Sequence, residues 1–109
     1  MKDAGIDIEN IKRFKLNKNN RFILDSFTRN EIEYSYSKAN PEEHLCGFFC
    51  AKEALLKTIE NGSYLLKDIE ITHLKSGKPV IKILKTNKYK FMLSMSHTKE
   101  YGCAIVIML

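Results

Sequence analysis

The run Cys103-Ala104-Ile105-Val106-Ile107-Met108-Leu109 is the longest uninterrupted apolar stretch of the chain, and it constrains the fold most. It is far shorter than the roughly 20 apolar residues a membrane-spanning helix takes. Its β-branched middle favours a strand, and a strand apolar at every position from Cys103 to Ile107 is expected at the centre of a sheet with both faces covered. Such a strand needs neighbours, and the sequence offers several. Phe91 to Ser96 and Gly102 to Met108 form a predicted strand pair around a turn at Thr98-Lys99-Glu100-Tyr101. Ile69, Ile71 and His73 alternate with Glu70, Thr72 and Leu74, and Ser76-Gly77-Lys78-Pro79 turns the chain into Val80 to Leu84, a predicted β-hairpin. Ala4-Gly5-Ile6-Asp7-Ile8 reads as a further short strand, followed by a helical turn over Glu9 to Phe14 and a basic, Asn-rich surface loop from Lys15 to Arg21.

Helix signals fill the middle of the chain. Thr28-Arg29-Asn30-Glu31 has the form of a capping box, which predicts a helix from Thr28 to about Lys38. Asn40-Pro41-Glu42-Glu43 starts a longer one, with proline in the first turn and two acids at the positive end of the dipole. Its apolar positions run through Leu45, Phe48, Phe49, Leu55 and Leu56 to Ile59, and Asn61-Gly62 supplies an end. The expected class is α+β, with helices packed on a mainly antiparallel sheet. With 109 residues, 44% hydrophobic and 28% charged, this is the makeup of one folded domain over residues 1–109. Three cysteines, an odd number, argue against a disulfide framework and for a reducing compartment, so a cytoplasmic location is expected. Cys46, Cys50 and Cys103 read as buried filler, because a zinc site needs further Cys or His partners close by.

Eighteen Lys and Arg against thirteen Asp and Glu leave a net charge of +5, which favours a phosphorylated ligand, a nucleic acid or an acidic protein as partner. A nucleic-acid platform would interleave aromatics with Lys and Arg on a sheet face, whereas most aromatics here fall in the predicted helices. Neither a nucleic acid nor a membrane is therefore expected as partner.

Asp7 is an acid between two isoleucines in a strand, where aspartate is disfavoured. It fits a strand-end cap, and equally a ligand. Glu53 and Lys57 stand four apart on one helical face, which fits a solvated ion pair. Taken together, two carboxylates from separate elements are the minimum protein contribution to a Mg²⁺ site completed by water and phosphates, with a lysine at hand for phosphate charge. Ser94-Met95-Ser96-His97-Thr98 is a polar cluster where a strand meets a turn, suited to a structural turn or to phosphate contact. Lys78 sits at a hairpin tip, and Lys12, Arg13, Lys15, Lys18 and Arg21 form a basic run, either solvated or a landing surface for an acidic protein.

In combination these motifs carry a resemblance. Gly5-Ile6-Asp7-Ile8-Glu9-Asn10-Ile11-Lys12-Arg13, then Phe49-Cys50-Ala51-Lys52-Glu53-Ala54 with Lys57, then Asp68-Ile69-Glu70-Ile71, Gly77-Lys78-Pro79 and Ser94-Met95-Ser96-His97-Thr98-Lys99-Glu100-Tyr101 resemble, in order and over nearly the whole chain, the motifs of bacterial holo-acyl-carrier-protein synthases. The resemblance implies a single-copy 4′-phosphopantetheinyl transferase fold. It implies Mg²⁺-dependent transfer of 4′-phosphopantetheine from coenzyme A to a serine of apo-acyl carrier protein, releasing adenosine 3′,5′-bisphosphate, in support of fatty acid biosynthesis. By the same resemblance Asp7 and Glu53 would hold Mg²⁺, Glu53 would take the serine proton directly or through a bound water, and Lys57 would steady the departing phosphate. Lys78 and His97 would contact coenzyme A phosphates, with Ser96 and Thr98 as supporting hydroxyls. Arg13 and Arg21 would meet the acidic helix of the carrier protein. A single-copy chain resembles the members that assemble as homotrimers, where one protomer supplies Asp7, Glu53 and Lys57 and its neighbour Lys78 and His97. The chain departs from the pattern in carrying Phe48 where an arginine is frequent, and a short Asn61-Gly62-Ser63-Tyr64 loop.

Overall fold

The computed structural model describes residues 1–60 and 62–109. Strand β1 (Asp3–Asn10) leads through a 3₁₀ turn (Ile11–Phe14) to helices α1 (Arg21–Ser26), α2 (Arg29–Tyr36) and α3 (Pro41–Leu56). A second 3₁₀ turn (Leu66–Asp68) opens the strands β2 (Ile69–His73), β3 (Pro79–Ile83), β4 (Phe91–His97) and β5 (Tyr101–Met108). All pairing is antiparallel, as expected, but it forms two sheets rather than one: β5 stands between β1 and β4, and β2 pairs only with β3. The class is α+β.

Helix α3 is the centre of the molecule. Nine of its residues are buried, from Leu45 to Leu55, because it is wedged between the three-stranded sheet, the β2–β3 hairpin and α2. Two glycines let it sit directly on the sheet. A Cβ on Gly5 would lie 1.9 Å from the carbonyl oxygen of Ala54, and one on Gly102 would lie 2.7 Å from Cys46 Sγ, so at both points the helix rests where only hydrogen fits. The core then spreads to Ala104 and Val106 of β5, to Ile69, Ile71, Ile81 and Ile83 of the hairpin, and to Phe14, Ile23 and Phe27 at the other side.

The apolar run occupies the centre of its sheet, yet only one of its faces is covered by the chain. Gly102, Ala104, Val106 and Met108 face inward and are buried, whereas Ile105 keeps 39% of its surface exposed and its cross-strand partner Ile6 keeps 63%. Ile8 and Met92 on the neighbouring strands are also exposed. The expectation of two covered faces fails within a single chain because α3 packs across one side only.

Boundaries shifted where caps competed with periodicity. The capping box forms as predicted, with Thr28 N donating to Glu31 Oε1 at 2.9 Å and Glu31 N to Thr28 Oγ1 at 3.3 Å, and α2 stops at Tyr36. Helix α3 stops at Leu56, short of Ile59, as Thr58 Oγ1 donates back to the Leu55 carbonyl at 2.7 Å. Of the expected stop signal, Asn61 lies outside the described residues and Gly62 adopts a positive φ of 57°. Helix α1 takes in Arg21, the last residue of the expected basic loop: the loop ends at Asn20, whose side chain accepts from Phe22 N at 2.9 Å and caps a six-residue helix that buries Ile23.

Candidate active site

Gly5 brings β1 against α3, and Asp7, two residues along the same strand face, opposes Ala104 of β5 and points inward toward the last turns of the helix. The ammonium of Lys57, the residue that ends α3, donates to the Ile6 carbonyl at 2.7 Å and lies 3.5 Å from Asp7 Oδ1. The other oxygen, Asp7 Oδ2, is buried with no hydrogen-bond partner. One turn back along the helix is Glu53, whose carboxyl is held above the usual range, first by burial and then by the negative charge of Asp7, with Glu9 adding to it and Lys57 and Arg13 opposing. Lys57 thus binds β1 and, among the described residues, forms no ion pair with Glu53; the solvated i,i+4 pair that the spacing allowed does not form.

Two carboxylates close enough for the charge of Asp7 to act on Glu53, one of them presenting a buried oxygen without a partner among the described residues, could hold a cation between them. All the donors are hard carboxylate oxygens, the chemistry that suits Mg²⁺ and leaves most of its coordination to water and phosphate. Among the described residues there is no group of three or more His, Cys, Asp or Glu arranged to hold a metal, so a full protein cage is absent and two carboxylates are what the chain offers.

The remaining predicted residues gather elsewhere. His97, at the end of β4, contacts the Thr98 carbonyl through Nδ1 at 3.1 Å; since a carbonyl only accepts, Nδ1 carries the proton and Nε2 is free to face a ligand. Ser96 and His97 line a cavity of about 140 Å³ together with Glu43, His44, Gly47, Phe48, His73 and Met95. Thr98 Oγ1 accepts from Glu100 N at 3.2 Å and Tyr101 N at 3.0 Å, so it also builds the β4–β5 turn. Lys78 is exposed at the tip of the β2–β3 hairpin. No hydrogen bond or ion pair among the described residues joins Lys78 or His97 to Asp7, Glu53 or Lys57. His44 lies nine residues before Glu53 on α3, about 13 Å along the helix axis, so the two groups of predicted residues stand apart within the chain.

The two arginines of the basic run differ in restraint. Arg13 is ion-paired with Glu9 at 3.0 Å and its guanidinium lies over the rings of Phe22 and Phe49 at 5.0 and 4.9 Å. Arg21 makes a 3.3 Å pair with Asp25 and is 88% exposed at its side chain. Beside it opens a concavity of about 860 Å³ between α1 and α2, lined by Leu24, Ile32 and Tyr36 and ringed by Arg21, Arg29 and Lys67.

Sequence reasoning missed three contributors. Lys52 is fully buried, ion-paired with Glu31 of α2, and donates to the carbonyls of Ser26 and Leu66 at 3.0 Å each; it is turned about 100° from Glu53 and ties α3 to the ends of α1 and β2's entry. His44 and His73 both meet the ring of Tyr34, His44 edge-on at 5.5 Å and His73 stacked at 4.4 Å, and line the same cavity as His97. A buried Lys five residues from an exposed one has no distinguishing pattern, and the meeting of histidines at 44, 73 and 97 depends wholly on the tertiary fold.

Comparison with known proteins identifies the family and the fold. Residues 3–106 match the family described as the 4′-phosphopantetheinyl transferase superfamily. The holo-[acyl-carrier-protein] synthase of Thermodesulfovibrio yellowstonii is 40% identical over 108 residues, covering 95% of each chain, and that of Clostridium kluyveri is 39% identical over 96% of this chain and 87% of its own. Among solved structures, the Bacillus anthracis holo-(acyl-carrier-protein) synthase in complex with CoA (3′,5′-ADP) superposes with a TM-score of 0.83 at 28% identity, covering 96% of this chain and 93% of that one. The Neisseria meningitidis synthase gives 0.82 at 28% identity, covering 97% and 96%. With an almost full-length family match, curated relatives above 30% identity and the same fold, the chain belongs to the 4′-phosphopantetheinyl transferase superfamily.

Proposed function

We propose that this protein is a holo-acyl-carrier-protein synthase, transferring 4′-phosphopantetheine from coenzyme A to a serine of apo-acyl carrier protein and releasing adenosine 3′,5′-bisphosphate, in the cytoplasm and in the service of fatty acid synthesis. The observation that carries this reading is the trio Asp7, Glu53 and Lys57 at the crossing of β1 and α3 in a chain of this family. The Bacillus anthracis relative binds coenzyme A. In the transfer, the serine oxygen forms a bond to the phosphorus bearing pantetheine while the bond to the bridging pyrophosphate oxygen breaks. Glu53 accepts the proton leaving the serine hydroxyl, a task for which a carboxyl raised above its usual range is suited. Lys57, fixed by the Ile6 carbonyl, holds its ammonium toward the departing phosphate. Mg²⁺ held by Asp7 and Glu53 would supply charge that offsets the negative charge building on the leaving oxygen. Lys78 and His97 hold the phosphates of coenzyme A, with the hydroxyls of Ser96 and Thr98 in support, so that positioning rather than covalent help lowers the barrier.

The two groups of predicted residues are separated within a protomer, and the outer sheet face with Ile6, Ile8 and Ile105 is open. A homotrimer answers both: copies cover each other's apolar faces, and one protomer's Asp7, Glu53 and Lys57 meet Lys78 and His97 of the next. Arg13 and Arg21 would receive the acidic helix of the carrier protein in a salt-sensitive encounter. The test is mass spectrometry of bacterial apo-carrier proteins incubated with this protein, coenzyme A and Mg²⁺: a gain of about 340 Da is expected, lost on chelation of the metal. No gain with any of several carrier proteins rejects the activity.

A further inference from the structure

All three arginines of the chain lie within its first 29 residues, and every Lys or Arg from Lys38 onward is a lysine. Between Glu70 and Glu100 there are seven lysines and no acid. Four of these, Lys82, Lys85, Lys88 and Lys90, follow one another along the end of β3 and the connection to β4, and all are exposed. Two leucines stand among them. Leu65 keeps 71% of its surface exposed and Leu84 48%, although Leu66 beside the one and Ile83 beside the other pack against the core. Asp68 gathers both leucines and a lysine. Its backbone carbonyl accepts from Leu84 N at 2.7 Å, its Oδ2 accepts from Leu65 N at 2.8 Å, and its Oδ1 pairs with Lys85 Nζ at 3.3 Å. The charge of that half-buried acid is thereby met from within. The neighbouring acid, Glu70, is buried and accepts from Thr28 Oγ1 and Asn30 Nδ2. What faces outward is lysine and leucine.

We propose that Leu65 and Leu84, with Lys82, Lys85, Lys88 and Lys90 around them, form a docking surface for an anionic lipid bilayer. The inference goes beyond the transfer reaction and does not depend on it. Charge complementarity sets the sign of the partner: each lysine brought near an anionic leaflet strengthens partitioning by roughly fivefold. The leucines set its kind, since exposed aliphatic side chains between cations are what an interfacial surface sinks into the boundary of headgroups and acyl chains. Among the described residues no helix is long and apolar enough to cross a membrane, so the contact is peripheral. Composition over the whole chain led to no expectation of a membrane, because the meeting of Leu65 with Leu84 is a product of the fold. An acidic protein is a poorer fit. Protein interfaces are enriched in arginine and depleted in lysine, whereas the three arginines stand outside this surface, paired with Glu9, Asp25 and Glu33. Of the four lysines only Lys85 is in an ion pair among the described residues, and a point charge on a flexible stem suits mobile headgroups. A nucleic acid would need exposed rings for stacking, but Tyr89 and Phe91 are half-buried against the core.

The test is sedimentation with vesicles of phosphatidylcholine alone, and of phosphatidylcholine with about 30% phosphatidylglycerol, at about 0.1 M and about 0.5 M salt. The protein should bind the mixed vesicles at the lower salt and release them at the higher, and it should ignore phosphatidylcholine alone. K88E/K90E should weaken binding to the mixed vesicles by at least about twentyfold, the worth of two lysines. L65S/L84S should weaken it too, and both variants should melt as the wild type does, since the altered side chains are exposed. K12E/K15E makes the same change of charge on the basic run and should weaken binding far less; an equal loss would mean that net charge alone attracts the protein, and overturns the surface. The chain has no tryptophan, so L84W reports the contact directly. Its emission should shift to the blue when mixed vesicles are added, and an unmoved spectrum overturns the proposal, as does a wild type that ignores mixed vesicles at the lower salt. If vesicles are ignored while K88E/K90E slows transfer to a soluble carrier protein, the surface serves that protein instead; if K88E/K90E loses affinity for duplex DNA, it serves a nucleic acid. Vesicle binding uses neither coenzyme A nor a carrier protein, so its failure and the failure of the functional reading are separate results.

Discussion

At the scale of single residues, the site is a place where the chain holds unfavourable contacts. Glu53 is partly desolvated beside the charge of Asp7, and Asp7 Oδ2 lacks a partner altogether. Removing such a charge should relax the protein while disabling it. Glu53→Gln is expected to raise the melting temperature of the metal-free protein by about 2 °C and to lower turnover by at least about a hundredfold; calorimetry and the mass-shift assay read the two effects, and a variant that is both less stable and active contradicts the assignment. The sequence signalled Asp7 because an acid between isoleucines violates strand preference, and it signalled Glu53 by company. It was silent on Lys52. The buried pair with Glu31, itself bonded to Thr28 N and Ile71 N, is assembled from three elements, and only the capping role of Glu31 has a local signature.

At the scale of elements, the crossing of α3 over β1 brings Asp7, Glu53 and Lys57 together. Gly5→Ala would drive a methyl group into the Ala54 carbonyl, 1.9 Å from where its Cβ must stand, and the helix backbone cannot yield as a side chain would. The expected loss is about 2–4 kcal/mol of stability in denaturant titrations, together with lost turnover as Asp7 moves from Glu53 and Lys57. A variant of unchanged stability would mean that helix and strand do not meet so closely. The strands and the two longer helices were legible because alternation, β-branching and caps are local. Helix α1 was not: six residues of mixed polarity have no period to count, and Arg21 ahead of Phe22 and Ile23 extends the basic run that precedes it. The division into two sheets was likewise invisible, since β3 and β4 are each plausible partners for the other until the chain between them is traced.

At the scale of the molecule, the open face of the three-stranded sheet is the feature that a single chain leaves unexplained. Ile105→Glu places a charge at its middle without touching the protomer core, where its neighbours Ala104 and Val106 point. Light scattering is expected to show a folded monomer in place of a trimer, with turnover lost because no neighbour brings His97; a monomeric wild type that turns over would contradict the shared site. The apolar run announced a strand with two dry sides, and in the proposed trimer the second dry side would come from the neighbouring copy. If the proposed trimer forms, a subunit fresh from synthesis carries a patch of isoleucine that is buried only against its own kind. Abundance would then govern how much of the protein works: a cell holding few copies would keep a reserve of idle subunits, and specific activity is expected to decline with dilution.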